Sequence, residues 1–152
     1  MAAARQGNRA VSPRIGSVRD APQQVWIAFG GAADQAWLWP LAKGFRHCFA
    51  ALRDEAGWTV VEPLSGRLLA LRVNAPAEYD LPRLYRRAGL AVLGPFAPAP
   101  ARATRLPPLF PFTCVAVCRA LLGPGAPFAL TPRGLFRALQ RNRKNVLTSA
   151  SA

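Results

Sequence analysis

The stretch FRHCFAALRDEAGWTVVEPLSGRLLALRV, residues 45 to 73, constrains the fold more than any other part of the chain. It holds three runs rich in β-branched, aromatic and leucine side chains, at 45 to 53, 58 to 63 and 67 to 73, and the joints between them, DEAG and LSG, are turn sequences. Strands joined this tightly have no room for a crossover connection, so they pair antiparallel as a meander. VWIAFG, 25 to 30, ends in glycine and reads as an opening strand, and LAVLGPF adds another short one.

Helices are signalled by their ends. DLPRLYRRAG, 80 to 89, starts with an aspartate suited to an N-cap and stops at glycine after about two turns. Thr113 is placed to cap a helix from Cys114 to Leu122 that Gly123 closes, and TPRGLFRALQRN opens with the Thr-Pro pair expected at an N-cap and first helical position. DQAWLWPLAKG, 34 to 44, has helical spacing, but Pro40 limits it to a short turn. The expected fold is α+β: a small antiparallel meander sheet with a few short helices packed on it.

With 152 residues, 51% of them hydrophobic, the chain can fill one core but hardly two. That core is assigned to a single domain over 25 to 140, with the proline- and alanine-rich connector 97 to 111 running extended inside it. Residues 1 to 24 carry four arginines against one aspartate without apolar periodicity and read as a disordered basic arm; 141 to 152 reads as a basic flexible tail. The N-terminal segment has no apolar h-region, so no signal peptide is expected. LPPLFPFTCVAVCRALLGPGAPFAL is poor in charge, but five prolines and Arg119 break it into pieces that could not satisfy their backbone in lipid, so no membrane span is expected. Three cysteines without an export signal leave an odd thiol and point to a reducing compartment rather than a disulfide framework. A formal charge of +13 with basic ends suits a polyanion such as nucleic acid, or serves solubility alone.

The only histidine, His47, falls where strand alternation puts Phe45, His47 and Phe49 on one face and Arg46, Cys48 and Ala50 on the other. If DEAG is a hairpin loop of four residues, paired positions have indices summing to 111, and Glu62 comes to lie diagonally across from His47 on the same face. A carboxylate there holds the imidazole by one nitrogen and leaves the other for chemistry. Cys114 stands at a helix start, where unsatisfied amides and the dipole favour thiolate over thiol. Two readings of Cys114 stand side by side: a nucleophile with His47 as its base, or a small buried hydrophobe on one helix face with Cys118, Leu121 and Leu122. Zinc, with His47, Cys48, Cys114 and Cys118 as nominal ligands, fails because adjacent strand residues point to opposite faces. No cofactor is called for.

The histidine strand in GFRHCF, the polar residue one strand later in WTVVEP and the helix-opening cysteine in PFTCVAVC, in that order, resemble the circularly permuted NlpC-like branch of the papain-like cysteine peptidases and amidases. What the resemblance implies is a thiol hydrolase of amide or ester bonds with Cys114, His47 and Glu62 as its triad, acting on a peptide, amide or ester substrate. Relatives that keep the fold without activity imply the alternative, a structural or assembly protein, phage-related, that docks on a partner or nucleic acid through its basic ends. Bacterial cytoplasm or a phage particle is the location either reading implies.

Overall fold

The computed structural model describes residues 24–31, 43–64, 67–97 and 113–149, with side chains up to residue 143. Five strands, β1 (Gln24–Gly30), β2 (His47–Asp54), β3 (Gly57–Leu64), β4 (Arg67–Val73) and β5 (Ala91–Phe96), form one sheet in the order β4-β3-β2-β1-β5. Every neighbouring pair is antiparallel, so the chain is an α+β protein built on a meander, with β5 returning beside β1. Three helices, α1 (Leu81–Arg87), α2 (Cys114–Leu122) and α3 (Pro132–Ser149), pack on it.

The helices cover both faces. α2 and α3 lie over a core of Val25, Ile27, Phe29, Cys48, Ala50, Leu52, Val61 and Leu93, to which they contribute Val115, Cys118, Leu122, Leu135 and Leu139. The other face buries Trp26, Ala28, Ala51, Trp58, Val60 and Val92 with Leu81 of α1. Double coverage is why β1 reads VWIAF, without polar alternation: all five residues are buried. Only β4, at the sheet edge, is largely exposed, with Leu68 and Leu71 about half open to solvent.

The β2–β3 hairpin has the expected register, Asp54↔Gly57 through Ala50↔Val61, with indices summing to 111. Its loop is shorter than the four residues read from DEAG, because Asp54 and Gly57 already belong to the ladder and only Glu55 and Ala56 turn. Asp54 Oδ1 accepts from Ala56 N at 2.9 Å, and Gly57, at φ +123°, takes a conformation that side chains disfavour. A Cβ there would stand 2.8 Å from the Ala75 carbonyl oxygen.

Two further expectations change. Phe45 does not share a face with His47: it precedes β2, outside the alternation, and packs with Phe29 and Phe136 under α3. Residues 141–149, read as the start of a flexible tail, continue α3 to Ser149, since RNRKNVLTS holds neither glycine nor proline to stop a helix already under way. The sequence signal for a flexible tail was basic composition, which does not exclude helix. Residues 1–23, the WLWP turn and the connector from residue 98 on lie outside the described residues.

Candidate functional site

Thr113 fixes the start of α2. Its backbone is extended and its side-chain oxygen accepts from Ala116 N at 3.1 Å, the expected N-cap bond. Cys114 is therefore the first residue of the helix, and the amides of Cys114 and Val115 are the two first-turn donors to which neither the helix nor the Thr113 side chain gives a partner. At the other end Gly123 closes the helix with φ 87°, where its amide bonds back to Arg119 and Ala120. Cys118, one turn further on, is fully buried in the core with Leu122, as its i+4 spacing suggested.

His47 opens β2 opposite Gly30 of β1. Its ring stacks on Phe49 with centroids 6.4 Å apart, and Phe49 meets Tyr85 of α1 edge to face at 5.2 Å. On the neighbouring strand Glu62 sits on the same face, and its Oε1 lies 3.6 Å from His47 Nε2. That is an ion-pair distance once the imidazole is protonated, slightly longer than a hydrogen bond. Side-chain exposures of 17% for His47 and 35% for Glu62 leave the carboxylate partly open to solvent, while His47 Nε2 itself is buried. The same carboxylate, after burial, is a cause of the raised pKa of the Tyr85 phenol.

Cys114 reaches this pair from the opposite face. Alternation sends Cys48 toward α2 and His47 toward α1, yet the Cys114 thiol engages both. The contact is possible because it is made at the end of the sheet. The β2–β3 ladder stops at Ala50↔Val61, while β2 continues along β1 to His47 and β3 continues along β4 to Leu64. The two strands thus follow different neighbours beyond Ala50 and Val61, and α2 packs against both.

The electrostatics of the thiol differ from what a helix N-terminus alone implies. The hydrogen bond with Cys48 and then burial push the Cys114 thiol well above the ordinary thiol range, and the opposing pull of His47 does not offset them. Cys48 is also held high: its bond to Cys114 lowers it, but its bond to Cys118 and complete burial raise it further. The balance of these effects favours the thiol over the thiolate at Cys114. All three cysteines are free thiols. Among the described residues no group of histidine, cysteine and acidic side chains is arranged to hold a metal ion.

Of the residues that sequence reasoning grouped as His47, Glu62 and Cys114, Glu62 lies 3.6 Å from His47, and His47 in turn acts on the Cys114 thiol. The same reasoning missed Cys48 as the partner of Cys114 and Tyr85 as the ring against Phe49 on which the Glu62 charge acts. Cys48 carried a signal, since it alternates onto the face opposite His47, where a packed helix must lie. Among the described residues no helix is long and apolar enough to cross a membrane. No protein-family model, no curated protein and no solved structure matches the chain.

Proposed function

We propose that the protein is a thiol hydrolase of amide or ester bonds, as the resemblance to permuted NlpC-like enzymes implies, with Cys114 as nucleophile, His47 as general base and Glu62 orienting the imidazole. One observation carries the reading: the His47 Nε2 lies 3.6 Å from the Glu62 carboxylate, and the same imidazole pulls down the pKa of the thiol at the first residue of α2. With Nε2 turned to Glu62, the base is Nδ1. Because the resting thiol is neutral, His47 takes its proton as sulfur attacks the carbonyl carbon, rather than holding a thiolate in advance. The oxyanion so formed is met by the Cys114 and Val115 amides. Collapse expels an amine or alcohol, which takes the proton back from the imidazolium, and leaves a thioester on Cys114. Water, deprotonated by His47, then releases the acid and restores the thiol.

An activated ester, p-nitrophenyl acetate, tests this with the full chain. A burst of nitrophenolate equal to the protein concentration is expected, absent in Cys114→Ser and slowed at least 100-fold, on the order of a lost general base, in His47→Ala. An unchanged burst rate in His47→Ala overturns the reading.

A second reading is favoured by the raised thiol and its bond to Cys48: the fold is kept, chemistry is absent, and the protein serves in assembly, docking on a partner or on nucleic acid through basic segments. Its mark is a Cys114 that reacts no faster than a denatured-state thiol.

A further inference from the structure

All seven acidic residues of the chain fall between Asp20 and Asp80, and the residues beyond Asp80 carry eleven lysines and arginines without one carboxylate side chain. α3 concentrates this excess. Leu135, Ala138 and Leu139 are buried against the rest of the protein, while Arg133, Arg137 and Arg141, each four residues apart, stand exposed on the opposite side. Four residues of α-helix rise about 6 Å, so the three guanidinium groups form a row about 12 Å long. Like charges at this spacing repel and destabilise the helix, and no acid on α3 relieves them. A row of phosphates would.

Just ahead of α3, in the loop after α2, Phe128 is 65% exposed, and the Arg119 guanidinium lies over its ring at 5.2 Å from the centroid. The ring is thus held in place by a cation and still largely open. An exposed aromatic ring four residues ahead of the helix that carries the arginine row matches a strand whose bases are unpaired: phosphates follow the arginines and a base stacks on the phenyl ring. A lipid surface fits less well, because the exposed apolar side chains, Phe128 and Leu130, precede α3 instead of running beside the arginines, and the exposed positions of α3 between Arg133 and Arg141 are Arg137 and Gln140.

We propose that Arg133, Arg137 and Arg141 of α3, together with Phe128, form a binding surface for single-stranded nucleic acid. It is separate from the Cys114 site and does not depend on the hydrolase reading.

The test is fluorescence anisotropy of the full chain with labelled oligothymidylate or oligouridylate of about twelve nucleotides, a length within the usual site sizes, in sodium chloride from about 50 to 200 mM. Replacing all three arginines by glutamine is expected to flatten the slope of log affinity against log salt by about 2, since each phosphate contact to a single strand contributes about 0.7. Phe128→Ala is expected to weaken binding about five-fold or more with the slope unchanged, because stacking releases no counterions. Circular dichroism checks that the variants are folded, and Arg137→Gln alone, expected to lower the slope by about 0.7, replaces the triple variant if that one is not. An unaltered slope in the arginine variants overturns the proposal, since binding then belongs to other basic residues. So does tighter binding to a duplex of equal length with no effect of Phe128→Ala, or binding only to phosphatidylserine vesicles.

Discussion

Cys114 shows how one neighbour can reverse the chemistry that a position suggests. The helix start favours thiolate, but the Cys48 thiol beside it and the burial of both favour the proton. Removing the neighbour should therefore free the site: Cys48→Ala is expected to speed iodoacetamide alkylation of Cys114 several-fold at pH 7.5, whereas His47→Ala should slow it. Glu62→Gln should slow it less than His47→Ala, because Glu62 acts only through the ring. Equal rates in Cys48→Ala and the parent would remove Cys48 from the control of the thiol. The raised thiols also set a stability window. Their folded pKa values exceed the unfolded value of about 8.5, so the stabilisation is complete below that pH and is lost as pH climbs through the folded values. The urea midpoint of the parent should fall between about pH 8.5 and 10.5, and fall less in Cys48→Ala. Asp54 works in the opposite sense: the Arg72 hydrogen bonds depress its pKa, so its small contribution is present above about pH 4 and fades as acid protonates it.

At the scale of elements, local chemistry decided most of what happened. The meander was legible because DEAG and LSG leave no length for anything but hairpins, and the side-chain period of two then put Glu62 beside His47. Shortening the loop from four residues to two did not alter this, since both loops give the same paired indices. What local signals could not tell was how helices dock on the sheet. The encounter of Cys114 with Cys48, the turn of Phe45 toward α3 and the extension of α3 to Ser149 all depend on tertiary packing, or on the lack of a stop signal, rather than on periodicity. α2 itself was legible at both ends because its caps are explicit residues. That makes it testable: Thr113→Ala leaves the Ala116 amide without its acceptor and is expected to cost about 1 kcal/mol in urea denaturation, whereas Thr113→Ser, which keeps the oxygen, should be nearly neutral. If Thr113→Ala is as stable as the parent, the cap is not what holds Cys114 in place.

Across the whole molecule the main unbalanced force is charge. Twenty basic residues face seven acids, and among the described residues the ion pairs are few and partly exposed: Arg72 with Asp54, and His47 with Glu62 when protonated. Folding brings the remaining cations closer together than they are in the unfolded chain, so their mutual repulsion opposes the compact state. Hydrophobic burial on both faces of the sheet must exceed it. Substitutions that remove large buried groups, Trp58→Ala or Leu135→Ala, should each cost several kcal/mol, on the order of 3 to 5 for the tryptophan and 2 to 5 for the leucine. Salt acts on the opposing term. Raising sodium chloride from about 0.01 to 1 M shortens the screening length from about 30 to 3 Å, below the spacing of most surface charges. Pairwise repulsion then fades while burial changes little, and the Tm should rise, by about 2 to 4 °C for each kcal/mol of repulsion removed in a chain of this size. Sodium chloride is the right salt, because sulfate strengthens burial itself and would raise the Tm for a different reason. A Tm that falls with sodium chloride would mean that the few ion pairs outweigh the surplus of cations, and that the arginines beyond Asp80 are already neutralised within the fold rather than available to a polyanion.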